Sequence, residues 1–131
     1  MLAKKDSAAK KIVVIDDEVS VGETIRDFLI DEGYEAFVAS EAKKGLELVV
    51  QEKPELVLLD LLMPQIGGIE VLKRIKEVRP ETFVVVISGL TDEEIAKQAI
   101  RRGAFDYVTK PFDLVELKEK ILDRVFLSDA P

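Results

Sequence analysis

The chain alternates between short, almost purely apolar runs and longer stretches in which apolar residues return every three or four positions. Ile12–Ile15, Leu56–Leu59 and Phe83–Ile87 contain no polar residue, the pattern of strands covered on both faces. They are predicted to be central. Ala36–Val38 is short, and Phe105–Val108 is interrupted by Asp106, so both are predicted at the edges of the sheet. Between these runs, Val21, Ile25, Phe28 and Leu29 have helical spacing, as do Ala42, Leu46, Val49 and Val50, and then Ile69, Leu72 and Ile75.

Local punctuation agrees with this count. Ser20 with Glu23, Thr91 with Glu94, and Asp113 with Glu116 have the spacing of helix capping boxes. Gly33 and Gly103 stand where helix ends need left-handed backbone, and Pro54 and Pro80 precede strands, where they would stop the helix before them. The prediction is a (βα)5 α/β fold. Right-handed crossovers then place helices on both faces of a five-stranded parallel sheet, giving a three-layer sandwich. No further repeat or internal linker interrupts it.

Composition narrows the chemistry. A chain of 131 residues builds one domain with a sizeable core. With no Cys and no His, disulfides, thiolate and imidazole catalysis and the common zinc sites are all excluded. The net charge of −7 disfavours an electrostatic footprint on nucleic acid or anionic membrane. No run approaches the roughly 18 apolar residues of a membrane span. Residues 1–10, rich in Lys and Ala, are expected to be a flexible leader, 11–127 the folded domain and 128–131 a tail. A cytoplasmic location is expected.

Four apolar runs end on polar residues of different kinds: Asp16 and Asp17, Asp60, Ser88, and Lys110. If the runs are parallel strands, these ends share one edge, where open α/β sheets bind ligands. Two carboxylates about 4 Å apart repel by about 4 kcal/mol at an effective dielectric near 20, so three together call for a cation. Oxygen-only ligands suit Mg²⁺, which pairs readily with phosphate oxygens. Each residue also has a plainer reading. Asp16, Asp17 and Glu18 can decorate a helix N-terminus, Asp60 can cap the next helix, Ser88 can end a strand, and Lys110 can be a surface lysine. Their joint spacing favours the site. As a nucleophile, Asp60 can form an acyl phosphate. Lys110 precedes a proline, which restricts it toward extended backbone and allows a cis bond.

The motifs IVVIDDE, LVLLDLLMPQIGGIEVL, VVVISG and GAFDYVTKPF, in this order and spacing, resemble the receiver domain of bacterial two-component response regulators over about residues 11–127. The resemblance implies a flavodoxin-like fold with strand order 2-1-3-4-5. It also implies that Asp60 accepts a phosphoryl group from the phosphohistidine of a sensor kinase or phosphotransfer protein. Asp17 and Asp60 would ligate Mg²⁺ directly, Asp16 through water, and Leu62 through its backbone carbonyl. Ser88 and Lys110 would hold phosphoryl oxygens, and Tyr107 would be the switch aromatic. Leu62 and Leu90 would flank the site and tune decay of the acyl phosphate, slowly because both are apolar.

Such a domain would signal to an output domain or effector through the surface of its fourth helix, fifth strand and fifth helix (α4-β5-α5). It would not be an enzyme beyond its own phosphotransfer and autodephosphorylation. The last helix carries Leu114, Leu117, Ile121 and Val125 on one stripe and Val115, Leu122 and Phe126 on a neighbouring one. The second stripe is either a wider burial arc or a docking surface for a phosphorylation-dependent homodimer. Three alternatives stand beside the receiver: an unphosphorylated pseudo-receiver, a haloacid-dehalogenase-type phosphohydrolase, and a flavin-binding flavodoxin-like protein. The phosphohydrolase would need an acid two residues after Asp60, where Leu62 stands. The flavin protein would need a Ser/Thr-rich phosphate loop after the first strand.

Overall fold

The computed structural model describes residues 9–62, 67–89 and 93–126. Five strands form one parallel sheet: β1 (Lys11–Ile15), β2 (Glu35–Ala39), β3 (Leu56–Leu59), β4 (Phe83–Ser88) and β5 (Asp106–Thr109), in the order β2-β1-β3-β4-β5. The helices are α1 (Val19–Asp31), α2 (Ala42–Glu52), α3 (Gly68–Val78) and α4 (Glu93–Arg101). The last, α5, runs Leu114–Leu117, turns through a π-helical segment at Lys118–Leu122 and resumes at Asp123–Phe126. The expected (βα)5 sandwich, its strand order and its two edge strands are all present.

Strand alternation divides the core into two layers. Val13, Ile15, Val57, Leu59, Val84 and Val86 face α2, α3 and α4, where Val49, Leu72, Ile75 and Ala99 close over them. Ile12, Val14, Leu56, Leu58, Val85 and Ile87 face α1 and α5, meeting Ile25, Leu29, Leu117 and Ile121. Because successive strand residues point to opposite faces, a strand covered on both must be apolar throughout.

The helix signals fared unevenly. Asp113 and Glu116 form a full capping box, with the Glu116 amide donating to Asp113 Oδ1 at 2.8 Å and the Asp113 amide to Glu116 Oε1 at 3.1 Å. Gly33 and Gly103 take φ of +101° and +107°. Ser20, by contrast, caps nothing. It lies inside α1, whose N-cap is Glu18, and its carbonyl accepts the Thr24 hydroxyl. Asp16 takes the Glu18 amide at 2.9 Å, closing the turn directly after β1, so the helix starts earlier than the capping pattern indicates. Thr91 lies outside the described residues.

The π turn decides the two stripes of α5. The Asp123 amide reaches back five residues to the Lys118 carbonyl, which fits one extra residue into that turn. Ile121 and Leu122 consequently both face the sheet, each 1% exposed. Leu122 is therefore core and not a docking residue, and Phe126 packs on the same cluster. Val115, 61% exposed, is the one member of that stripe on the surface.

Candidate functional site

Strand register builds the site. Ile15 pairs with Leu59 across adjacent strands β1 and β3, so Asp16 and Asp60 leave the sheet side by side. Their amides are held in the ladder as they leave: Asp16 donates to the Ala39 carbonyl at 3.0 Å and Asp60 to the Ile15 carbonyl at 2.9 Å. Both carboxylates then close the same local turn. Asp16 Oδ1 accepts the Glu18 amide and Asp60 Oδ1 the Leu62 amide, each at 2.9 Å and each two residues ahead. One oxygen of each is thus committed to backbone, and Oδ2 is aimed across the sheet edge.

Lys110 meets those oxygens from β5. Its amide donates to the Ser88 carbonyl at 2.9 Å, anchoring it one step beyond the Ser88–Thr109 pairing. The bond to Pro111 is cis. The ammonium lies 2.9 Å from Asp16 Oδ2 and 3.1 Å from Asp60 Oδ2. It also reaches Glu18 Oε1 at 3.3 Å. Asp17 completes a carboxylate cluster with Asp16 and Asp60, their ligand oxygens all within 4.8 Å of one another.

Electrostatics follows from burial. Asp16 and Asp60 are buried while Asp17 is exposed at the rim. Burial pushes the Asp60 carboxyl above the ordinary range; the Leu62 amide and Lys110 pull it back, and Asp16 adds repulsion. Burial works against the Lys110 ammonium, but its hydrogen bonds to Asp16 and Asp60 outweigh that and hold its pKa above the usual lysine range. Four carboxylates against one ammonium leave three formal negative charges here. A hard divalent cation fits this donor set: all-oxygen, anionic, and open to solvent at Asp17. Asp16, Asp17 and Asp60 could hold Mg²⁺.

The remaining predicted residues are placed as follows. Ser88 ends β4, fully buried at the same edge. Leu62 directly follows Leu61 after β3, with its side chain 51% exposed. Tyr107 lies on edge strand β5, half-buried against the α2–α4 layer. Leu90 lies outside the described residues. Two features go beyond what the sequence pattern indicates. By sequence Glu18 is only loop decoration, yet it contacts Lys110 92 residues away. Gly68 carries no signal of its own, yet a Cβ there would stand 2.3 Å from Leu61 Cα and 2.6 Å from its carbonyl oxygen. The start of α3 presses directly on the backbone that follows Asp60, and the paired glycines of MPQIGG are the available signal.

A five-stranded parallel sheet of this order with an acidic cluster and a lysine at its carboxyl edge defines a receiver. The family model for the response regulator receiver domain matches residues 12–122, and the chain belongs to that family. It is 38% identical over 123 residues to transcriptional regulatory protein CrdR of Helicobacter pylori (strain ATCC 700392 / 26695), covering 93% of this chain and 57% of that protein. It is 36% identical over 127 residues to chemotaxis protein CheY of Treponema pallidum (strain Nichols), covering 93% of this chain and 84% of that one. A crystal structure of a CheY-like response regulator receiver domain protein from Methanospirillum hungatei JF-1 superposes with a TM-score of 0.85 at 29% identity, over 89% of this chain and 94% of that chain. The chain spans little more than half the length of CrdR. It is a receiver domain of the two-component signalling family. Among the described residues, no helix is long and apolar enough to cross a membrane.

Proposed function

We propose that the domain, residues 11–127, is a phosphorylation switch in which Asp60 accepts a phosphoryl group from the phosphohistidine of a sensor kinase or phosphotransfer protein. One observation carries this reading: Asp60 Oδ2 lies 3.1 Å from Lys110 Nζ within an oxygen cluster sized for a divalent cation. An Asp60 oxygen attacks phosphorus, the phosphorus–nitrogen bond breaks, and its electron pair returns to the donor imidazole. Catalysis is positioning and charge neutralisation of a loose transition state, so no general base is needed and a chain without His is sufficient.

Mg²⁺, when bound, supplies charge that offsets the three carboxylates and the incoming phosphoryl oxygens. Asp17 and Asp60 would hold it directly, Asp16 largely through water, and the Leu62 carbonyl would complete the protein ligands. Lys110 neutralises one phosphoryl oxygen and the Ser88 hydroxyl binds another. As Ser88 closes on the phosphate, Tyr107 turns inward and the surface of α4, β5 and α5 changes. Phosphorylation favours that active arrangement only by its differential interactions there, and a partner preferring it favours phosphorylation equally. The output is an effector or a linked domain, with a phosphorylation-dependent homodimer as one form of the active state. The setting is the cytoplasm, without direct nucleic-acid contact by this domain.

The test is intact mass after treatment with acetyl phosphate. The expected result is one added phosphoryl group that requires Mg²⁺ and is lost in Asp60→Asn. No adduct, with donor reactivity and Mg²⁺ binding verified, would replace this reading with that of an unphosphorylated interaction module.

A further inference from the structure

Lys110 donates to three carboxylates: Asp16 at 2.9 Å, Asp60 at 3.1 Å and Glu18 at 3.3 Å. An ammonium has only three N–H donors. A phosphoryl oxygen arriving at Asp60 therefore finds no Lys110 donor until one of these bonds opens. The three are unequal. The Asp16 and Asp60 side chains are 5% exposed, so opening either bond leaves a buried carboxylate short of a partner. Glu18 is 63% exposed and makes the longest contact, and water replaces Lys110 there at once.

Backbone geometry makes the same distinction. Glu18 occupies the N-cap of α1, but its side chain makes no capping bond. Its amide is fixed to Asp16 Oδ1 at 2.9 Å. The main chain is thus held by the site, while the carboxylate has no duty in the helix and can leave Lys110 without disturbing α1.

We propose that Glu18 is the releasable partner of Lys110, a positioning residue that occupies the third ammonium donor in the resting protein and yields it to the phosphoryl oxygen. This role rests on Asp60 being the phosphoacceptor. It makes Glu18 a brake: phosphorylation must first break its contact, and the strength of that contact sets part of the rate.

Two variants separate contact from field. Glu18→Gln keeps the length and removes the charge, whereas Glu18→Asp keeps the charge and withdraws the oxygen by one methylene toward its own helix amides. At saturating Mg²⁺, both are expected to speed adduct formation from acetyl phosphate about two- to five-fold, the range an exposed ion pair supports. In the Mg²⁺-free protein, the ¹⁵N–¹H signal of the Lys110 ammonium should shift in both. Acceleration in Glu18→Gln alone would assign the effect to the general field and overturn the contact role. An unmoved Lys110 signal or an unchanged rate in both variants would also overturn it. Wild-type protein that takes no phosphoryl group, while the Lys110 signal shifts as expected in both variants, would instead sink the phosphoacceptor reading.

Discussion

Lys110 Nζ stands 3.1 Å from Asp60 Oδ2, fifty residues away along the chain and from a strand separated from β3 by β4. The contact ties an ammonium that burial opposes to a carboxyl that burial also opposes. Neither would be tolerable alone at this depth, and together they leave a site that still carries excess negative charge for a cation to balance.

Stability should record that frustration. Burial raises the Asp60 pKa, so the folded protein binds this proton more tightly than the unfolded chain does. Its contribution favours the fold below the ordinary aspartate pKa and is lost as pH rises through the folded value. Lys110, with a raised pKa, contributes fully throughout that acidic window and loses its contribution only in strong base. In EDTA, urea denaturation from about pH 4 to 7 is expected to show wild type losing stability relative to Asp60→Asn. A constant difference between the two proteins across that window would contradict this. Adding Mg²⁺ should stabilise wild type and have much less effect on the variant.

Gly68 should tolerate no side chain. A Cβ would meet Leu61 main-chain atoms at 2.3 and 2.6 Å, which cannot rotate aside. Gly68→Ala is expected to cost about 2–3 kcal/mol by chemical denaturation, despite the higher helix propensity of Ala. It should also displace Asp60 and lower the adduct yield. Unchanged stability would mean that α3 shifts freely against the Asp60 turn.

The two apolar residues Leu122 and Val115 should respond oppositely to charge. Leu122→Asp places a carboxylate in the α1–α5 core layer and should cost about 4 kcal/mol or unfold the domain. Val115→Asp changes an exposed position and should leave stability within about 0.5 kcal/mol. Sedimentation of the phosphorylated Val115→Asp protein then tests whether the surface of α5 joins two copies, with a monomer expected if it does.

Leu62 sits half-exposed beside Asp60 and offers no group to hold an attacking water. Slow decay of the acyl phosphate is expected, and Leu62→Asn should speed it by roughly tenfold, about 1.4 kcal/mol off the barrier. Loss of the adduct followed by mass will show it. Fast decay in wild type, unchanged in Leu62→Asn, would remove Leu62 from this role.

Features set by local period and by neighbouring residues could be read from the chain alone. Uninterrupted apolar runs are the mark of strands covered on both faces, which places β1, β3 and β4 at the centre of the sheet and Asp16, Asp60 and Ser88 at their ends. The Asp113 capping box and the glycines at positions 33 and 103 are equally legible, because a cap needs only residues a turn apart. Long-range packing governs the rest, which depends on groups distant in sequence or on a single extra residue in a turn. Glu18 becomes a partner of Lys110 because two strand ends 92 residues apart converge on one edge. Asp16, by taking the Glu18 amide, starts α1 ahead of the Ser20 signal. The π turn after Leu117 decides between the two readings of Leu122, a wider burial arc or a docking surface, and places it in the core. A regular period of 3.6 residues cannot decide that placement, since the added residue is accommodated by packing against the sheet and not by any local preference of the chain.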